Sequence, residues 1–355
     1  MSHPVSRAAL LGRVVASLRD PEDATRQALE AASVVEAGIS APMATYVWDL
    51  ALARYTPEAV AALAQDAREP GRTVGVIVGR SVAVAPWRAM VLPWLAGAAV
   101  RVRPSRSMAR ITRCLVDRLQ EAGAAVSMWE GEVSAGMTEV VAYGRDETLA
   151  TLADALPPGV GFVGYGHGFG MALVGPGGVD DPRVAEALAL DVALHDQSGC
   201  LSPQGVIVVG DPVGFGRRLG AALDALAARL PRGVDDVGRA AAAMQWAGVE
   251  AALGADLWRT AGGVVSARPE GPLRGSPGGR VVLVRGVGDV SEATALLAPH
   301  AQHLSCVAVT SGVAGWEPAG YRGRTVSPGA MQDPPLDGPE DRRGPRVKPR
   351  PVRDP

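Results

Sequence analysis

Hydrophobic and polar positions follow two different periods along this chain, and the change of period divides it. Residues 6–66 carry apolar side chains at helical spacing, and proline stands at the first helical position after Asp20 and after Thr56. From residue 72 onward, short runs rich in valine and isoleucine alternate with helix-like stretches. The pattern predicts a helical segment over residues 1–71 that packs on an α/β core.

The α/β core begins with a β-α-β unit. Thr73–Val78 predicts the first strand, and residues 98–103 predict the second strand after a helix-like stretch. A further strand is predicted at Glu139–Tyr143, and the turn Gly144-Arg145 after it opens into a helix. Together with a glycine-rich, strand-like run these elements predict a first α/β domain over residues 72–170.

A second α/β domain is predicted over residues 171–338. Its pattern gives a β-branched run from residue 206, helices at 219–230, 234–253 and 290–297, and strands at 280–284 and 303–309. The remaining residues, 339–355, are rich in proline and arginine and predict a disordered tail.

The composition is typical of a globular protein and gives no indication of nucleic-acid binding or of a membrane span. A chain of 355 residues can hold two domains with sizeable cores, and 47% apolar with 20% charged residues is ordinary for a globular protein. The net charge of −2 gives no general attraction to nucleic acid. The N-terminus lacks a signal-peptide pattern and no run of 18 apolar residues occurs, so we expect a cytoplasmic protein without a membrane span.

Two residue types are nearly or wholly absent. The chain contains no asparagine, and its single lysine, Lys348, lies in the tail. This excludes a P-loop lysine, a Tyr-x-x-x-Lys pair and a Schiff-base lysine in the folded part, so any cofactor phosphate must be bound by arginine or backbone. The three cysteines are widely separated, which supports neither a disulfide framework nor a structural zinc site.

The segment around Cys200 is the most informative in the chain. Residues 196–199 form a turn-forming cluster before the run that resumes at Val206, so Cys200 is predicted in a loop at a strand edge. A thiol there can be partly exposed, with backbone N–H groups that favour the thiolate and Gly199 allowing close approach. A lone cysteine is otherwise a small buried hydrophobe, and that reading is preferred for Cys114 and Cys306.

Two sequence segments resemble motifs of a known protein family. Residues 196–204, Asp-Gln-x-x-Cys-Leu-Ser-Pro-Gln, resemble the nucleophile segment of the acyl-CoA reductase component of the bacterial bioluminescence fatty-acid reductase, a family of the aldehyde dehydrogenase superfamily. Residues 327–338 resemble its Gly-x-Met-Gln-x-Pro-Pro…Asp-Gly ending. The resemblance spans residues 72–338 and implies an aldehyde dehydrogenase-like α/β fold: a Rossmann-type cofactor domain, an α/β catalytic domain and an N-terminal helical cap.

The resemblance also implies cofactor-binding residues. Arg103-Pro104-Ser105 is similar to a Lys-Pro-Ser-type ending, with Arg103 where the adenosine ribose or 2′-phosphate would be held; a solvated strand-end arginine is the alternative. A guanidinium binds phosphate bidentately, which favours NADPH, with NADH as the alternative. Residues 144–148 resemble a family segment at which a glycine turn opens a helix and seats the pyrophosphate, although a simple helix cap explains Asp146 as well. The implied cofactor-binding residues are Arg103, Ser105, Gly144, Arg145 and Glu147.

One departure from the family concerns the oxyanion. The position of the family's oxyanion asparagine falls on Arg80, or on Ser81 if the register slips by one, and the chain has no asparagine. The developing oxyanion must then be stabilised by the Cys200 backbone N–H together with a cation or hydroxyl.

A second departure concerns water activation. Hydrolytic members of the superfamily carry a glutamate in the glycine-rich strand, whereas Phe162–Tyr165 includes no carboxylate. An acyl-cysteine that does not meet activated water is suited to reduction or to transfer to another thiol. His167 resembles a family histidine and is the acid–base candidate, with a turn histidine bonded to backbone as the alternative and His195 as a weaker rival.

The resemblance implies NADPH-dependent reduction of a long-chain acyl-CoA or acyl-carrier thioester to the aldehyde, through an acyl-S-cysteine on Cys200. Cys200, His167 and Arg80 are the implied catalytic residues, and no metal is expected. A protein that transfers or activates acyl groups and a second copy of the chain are candidate partners. The alternatives are an acylating aldehyde dehydrogenase and a catalytically decayed acyl-binding protein of the same fold.

Overall fold

A computed structural model of the chain describes residues 6–65, 71–80, 82–132, 136–234, 237–338 and 346–348. The chain divides into two compact units. The first unit comprises residues 1–37, 44–167 and 345–355, and the second comprises residues 38–43 and 168–344.

The elements of the first half of the chain are helices followed by alternating strands and helices. The helices are α1 (Arg7–Leu18), α2 (Ala24–Ala37), α3 (Ala41–Ala53), α4 (Pro57–Gln65), α5 (Ala85–Leu95), α6 (Ala109–Glu121) and α7 (Asp146–Ala155), with a 3₁₀ turn at Arg106–Met108. The strands are β1 (Thr73–Val78), β2 (Ala99–Pro104), β3 (Val126–Met128), β4 (Glu139–Tyr143) and β5 (Gly161–Tyr165).

The elements of the second half form another α/β arrangement. The strands are β6 (Phe169–Val174), β7 (Pro203–Val209), β8 (Asp256–Thr260), β9 (Gly263–Arg268), β10 (Val281–Val287), β11 (Leu304–Val309), β12 (Arg324–Val326) and β13 (Arg346–Lys348). The helices are α8 (Pro176–Val179), α9 (Pro182–Ala193), α10 (Pro212–Ala227), α11 (Val237–Ala252) and α12 (Val290–Leu297), with an irregular turn at Leu194–Gln197 and a 3₁₀ turn at Ala298–His303.

The sheet of the first unit has the strand order β13-β5-β4-β1-β2-β3. Its strands run parallel except β13, which pairs antiparallel with β5. Strand β1 therefore lies between β2, which follows it in the chain, and β4, which comes later. This is the strand order of a Rossmann-type dinucleotide-binding domain.

The sheet of the second unit has the order β12-β11-β6-β7-β10-β9-β8. All its strand pairs are parallel except the β8–β9 hairpin. Along β7, Val206 and Val208 pack into the cluster that contains Leu188 and Phe215, while Ile207 and Val209 pack into a second cluster on the other face. Because helices cover both faces, the central strands are mostly apolar, as is usual for parallel sheets.

The predicted boundaries need two corrections. The first domain was expected to end at residue 170, but that position lies inside β6, and the division falls between His167 and Gly168. The apolar run 158–175 is two strands in two sheets, and periodicity alone cannot show this. The tail was expected to be disordered over residues 339–355, but residues 346–348 form a strand on β5; the tail's other residues lie outside the described ranges.

The described residues include neither a candidate membrane span nor a candidate metal site. No helix there is both long and apolar enough to cross a bilayer. In those same residues, no three or more His, Cys, Asp or Glu side chains are grouped in a way that could hold a metal ion.

Candidate active site

The predicted cofactor residues lie at one edge of the sheet in the first unit. Strands β1, β2, β4 and β5 are parallel and in register, with Val78 beside Pro104 and Tyr143 beside Tyr165, so their carboxyl ends meet at the same edge. The predicted residues at or just beyond these strand ends are Arg80, Arg103, Ser105, Gly144, Arg145 and His167. The carboxyl edge of such a sheet is where ligands of doubly wound α/β proteins bind.

A glycine shapes the point at which the strand order reverses. A Cβ atom on Gly79 would lie 2.4 Å from the carbonyl oxygen of Tyr143, a distance that no real Cβ tolerates. Glycine at position 79 therefore lets the carboxyl ends of β1 and β4 approach closely. The strand order reverses here, and the carboxyl side of such a switch point is where doubly wound α/β proteins bind dinucleotides.

The same edge is rich in cations. Arg80, Arg103 and Arg145 are exposed there. The backbone of Ser105 is tied to the end of β1, since its N–H donates to the carbonyl oxygen of Val78 at 2.7 Å. Exposed guanidinium groups at this edge suit the phosphates of a nucleotide. Ser81, the alternative to Arg80 for the oxyanion, lies outside the described residues.

Asp146 does not cap α7, contrary to the simpler expectation for it. Arg145 is the N-cap residue and its side chain makes no capping hydrogen bond. The carboxylate of Asp146 instead accepts a hydrogen bond from the backbone N–H of His167 at 3.1 Å, which fixes the turn after β5. Asp146 and Glu147 place two carboxylates in the first turn of α7, so this helix end favours a ribose hydroxyl over a phosphate as its ligand.

The three cysteines lie in different surroundings. Cys200 is exposed in the loop between α9 and β7 in the second unit. Cys306 is fully buried in β11, which confirms it as a core residue. Cys114 is half-buried on α6, so the prediction of a core position holds only in part, and burial raises the pKa of its thiol.

The loop that carries Cys200 begins with a left-handed turn. His195, Asp196 and Gln197 have φ angles of 57°, 49° and 60°. Three successive non-glycine residues in this region are rare, and each costs about 1–3 kcal/mol unless its surroundings hold it in place. We refer to residues 194–202 as the nucleophile loop.

Asp196 is the first anchor of the nucleophile loop. Its carboxylate contacts the Nε of Arg280 at 2.7 Å and accepts a hydrogen bond from the backbone N–H of Gly233 at 2.9 Å. Both charged side chains are buried, and the Arg280 guanidinium also donates to the carbonyl oxygen of Leu230 at 2.8 Å. Removing one charge of such a pair leaves the other buried and uncompensated, so the contact strongly constrains the turn.

Gln197 is the second anchor. Its side-chain amide donates to the carbonyl oxygens of Pro203 and Val281 at 2.8 and 2.9 Å and accepts from the N–H of Val281 at 2.8 Å. The amide thus bonds to the backbone where β7 and β10 begin.

The segments that carry the two halves of the family resemblance are bonded to each other. Gln332 donates to the hydroxyl oxygen of Ser202 at 2.9 Å. The buried carboxylate of Asp191 accepts hydrogen bonds from the backbone N–H groups of Gly329 and Met331 at 2.6 and 3.0 Å. The closing segment 327–338 therefore fixes the end of the nucleophile loop that leads into β7.

Sequence reasoning did not identify the residues that hold the loop. Arg280 stands 84 positions from Asp196, and nothing local marks the two as partners. Asp191 gave a weak signal, because it is a carboxylate within an otherwise apolar helix segment. His167 and Arg80 belong to the first unit and Cys200 to the second, and their proposed catalytic roles stay predictions.

Two buried ionisable groups in this part of the second unit have shifted pKa values. Burial lowers the pKa of His195 from 6.5 to about 4, and its Nδ1 has no hydrogen-bond partner among the described residues. Burial raises the pKa of Asp191 from 3.8 to about 7, against the opposing effect of the two N–H donors. The His195 imidazole is buried and therefore not accessible to solvent, and it is neutral at pH 7.

The lowered pKa of His195 predicts how the unfolding free energy depends on pH. Between about pH 4 and 6.5 the unfolded chain binds a proton that the folded chain excludes, so this group's stabilising contribution is lost as the pH falls through that window. Asp191 acts oppositely, since its contribution falls as the pH rises from about 4 to 7. We expect His195→Phe to make the slope of unfolding free energy against pH less positive, by up to roughly 1.4 kcal/mol per pH unit. Urea unfolding at several pH values measures it, and unchanged slopes would contradict it.

Comparison with solved structures defines the class of fold. The chain resembles an NAD-dependent benzaldehyde dehydrogenase from Corynebacterium glutamicum, with 16% identity, a TM-score of 0.68, and coverage of 86% of this chain and 75% of that one. It resembles an NAD-dependent aldehyde dehydrogenase from Sinorhizobium meliloti at 18% identity and a TM-score of 0.67, covering 91% and 74% of the two chains. An oxidoreductase from Marinobacter aquaeolei gives 13% identity and a TM-score of 0.70, with 96% and 80% covered.

The fold is therefore that of the aldehyde dehydrogenases, as the resemblance implied. A family model described as acyl-CoA reductase (LuxC) matches residues 64–315, which is more than half of the chain. The protein belongs to the acyl-CoA reductase (LuxC) family. No curated protein matches the sequence significantly.

Proposed function

We propose that this protein reduces a long-chain acyl thioester, carried by CoA or by an acyl carrier, to the aldehyde with NADPH. The observation that supports this most is the exposed position of Cys200 on a loop whose backbone is fixed by buried contacts. A nucleophile held in one position meets its substrate at low entropic cost. Membership of the acyl-CoA reductase family supplies the substrate class.

In the first half of the proposed reaction, the Cys200 thiolate attacks the carbonyl carbon of the thioester. A new carbon–sulfur bond forms, and the bond to the CoA sulfur breaks, so that CoA leaves as a thiolate and takes up a proton. Backbone N–H groups of the nucleophile loop stabilise the oxyanion, because the chain has no asparagine to do so. Arg80 is the cation and His167 the acid–base group that we propose in addition.

In the second half, the acyl carbon accepts a hydride, which is the chemistry that NADPH supplies when bound. The bond to the Cys200 sulfur then breaks, the thiolate is regenerated and the aldehyde leaves. The residues proposed to hold the cofactor are Arg103, Ser105, Gly144, Arg145 and Glu147, at the sheet edge where Gly79 lets β1 and β4 approach closely. Two of the solved relatives are described as NAD-dependent, which supports a nicotinamide cofactor.

The choice between NADPH and NADH depends on Arg103 in this proposal. Arg103→Gln removes the guanidinium that would bind the 2′-phosphate, so we expect KM for NADPH to rise about tenfold or more and KM for NADH to change by about twofold or less. Arg101→Gln, two residues earlier on the same side of β2, is the matched control. Steady-state kinetics with both cofactors measure the effect, and an equal loss with both would assign Arg103 to another role.

The proposed function is tested by incubating the protein with hexadecanoyl-CoA, with and without NADPH. We expect mass spectrometry to find a hexadecanoyl group on Cys200 without the cofactor, and hexadecanal with it. An unmodified thiol together with tight acyl binding would support the second candidate, a catalytically decayed acyl-binding protein. The absence of asparagine favours that candidate, while the lack of a carboxylate in Phe162–Tyr165 argues against an acid-forming aldehyde dehydrogenase.

A further inference from the structure

One stretch of the first unit carries positive charges and no negative ones. Residues 71–116 contain eight arginines and neither aspartate nor glutamate, although the whole chain has a net charge of −2. The arginines are Arg72, Arg80, Arg88, Arg101, Arg103, Arg106, Arg110 and Arg113. The proposed function uses two of these, Arg80 for the oxyanion and Arg103 for the cofactor, and leaves the arginines beyond β2 without a role.

Three of the remaining arginines form a line on the surface. Arg106, Arg110 and Arg113 are spaced by four and three residues along the 3₁₀ turn and α6, and all three are exposed. Arg110 and Arg113 are three residues apart and share one side of α6, and Arg106 lies in the 3₁₀ turn directly before that helix. The other side of α6 buries Ile111, Leu115, Val116 and Leu119. We call Arg106, Arg110 and Arg113 the arginine stripe.

Neighbouring carboxylates do not pair with the arginine stripe. Glu36 of α2 accepts hydrogen bonds from the backbone N–H groups of Arg110 and Ile111 at 2.8 and 3.0 Å, so it caps α6 and does not contact a guanidinium. Asp117, one turn beyond Arg113, marks the end of the stripe. No ion pair joins a stripe arginine to another residue of the described chain.

Two exposed valines lie on α2, close in sequence to the residue that contacts the start of α6. Val34 and Val35 directly precede Glu36, the residue that fixes the end of α2 to the first turn of α6, and they are 37% and 67% exposed. Apolar side chains beside unpaired cations are typical of a surface that binds protein, because phosphate backbones gain nothing from valine.

The shape of the surface favours an extended acidic partner over a small anion. Guanidinium groups on the outside of a helix diverge, whereas a free nucleotide is bound by groups that converge in a cleft. A partner helix with carboxylates at the same spacing can meet all three arginines at once. We propose that the arginine stripe, with Val34 and Val35, docks an acidic helix of an acyl carrier protein, which delivers the acyl thioester. This inference rests on the proposed function and names its acyl donor.

The test compares two donors of the same acyl group, hexadecanoyl-loaded acyl carrier protein and hexadecanoyl-CoA. We expect R106E/R110E/R113E to lower kcat/KM for the carrier-bound donor by about tenfold or more at low salt and to leave hexadecanoyl-CoA within about twofold. The control R217E/R229E/R259E makes the same change of charge at exposed arginines of the second unit and should leave both donors unchanged. High salt should lower the wild-type rate with the carrier and remove its difference from the stripe variant.

A second measurement separates the failure of this inference from that of the proposed function. Titration with unloaded acyl carrier protein should show binding to the wild type and the control, and at least about tenfold weaker binding to the stripe variant. If neither donor yields aldehyde, the proposed function fails, and this titration still decides on docking. Equal losses with both donors, no binding of the carrier, or stripe-dependent binding of phosphatidylglycerol vesicles or single-stranded DNA in its place would overturn the docking proposal.

Discussion

Cys200→Ala abolishes both acylation and aldehyde formation, with an expected loss of kcat on the order of 10³-fold or more. The proposed pathway has a covalent intermediate on this sulfur, and alanine offers no atom that can form it. The exposed position of Cys200 means that the substitution removes little packing, so we expect the unfolding free energy to change by less than about 1 kcal/mol. Hexadecanal release under saturating NADPH is the measurement.

Cys114→Ala is the matched control for this prediction. Cys114 is half-buried on α6 in the first unit, and burial raises the pKa of its thiol, which disfavours the thiolate. The control variant should keep its aldehyde-forming activity within about twofold. Retention of hexadecanoyl transfer by Cys200→Ala, or its loss in Cys114→Ala, would show that another group carries the acyl chain.

The local features of the fold could be predicted from the sequence. The strands β1, β4 and β10 follow from runs of Val and Ile bounded by Gly, Pro or charged residues, and the exposed loop at Cys200 follows from the turn-forming residues 196–199. Long-range partners could not be predicted in this way. Nothing near Asp196 in the sequence indicates Arg280, and the left-handed turn has no glycine to mark it.

Two elements were not predicted although the sequence contains a usual signal for each. The hairpin of β8 and β9 turns at Ala261-Gly262, and α9 begins with Pro182 after the N-cap residue Asp181, which is a usual start signal. The boundary between the units was misplaced for a different reason. Both β5 and β6 are apolar, so only Gly166-His167-Gly168 marks the break, and a residue pattern does not say that two strands belong to different sheets.

The buried ion pair offsets the energetic cost of the left-handed turn. Holding His195, Asp196 and Gln197 at positive φ costs several kcal/mol in sum, which the turn's own sequence does not offset. Bonds from Arg280, Gly233 and Val281 hold this conformation. The position of Cys200 therefore depends on residues far away in the chain, which leads to the second large effect.

Arg280→Met destabilises the protein by about 3–5 kcal/mol, because the Asp196 carboxylate is left buried without its partner. The loss should also slow acylation of Cys200, since the left-handed turn is no longer held on that side. Urea unfolding measures the first effect. Single-turnover acylation by hexadecanoyl-CoA, under conditions where the variant is still folded, measures the second.

Two variants separate the role of the ion pair from that of burial alone. Arg183→Met breaks the contact with Asp181 at an arginine that is 85% exposed, and it should leave the unfolding free energy nearly unchanged. Asp196→Asn combined with Arg280→Met removes both charges and should be less destabilised than Arg280→Met alone, because no charge is left buried. If the double variant were as unstable as the single one, the uncompensated carboxylate would not be the cause, and the loss would lie in the hydrogen bonds from Arg280 to the carbonyl oxygens of Leu230 and Pro231.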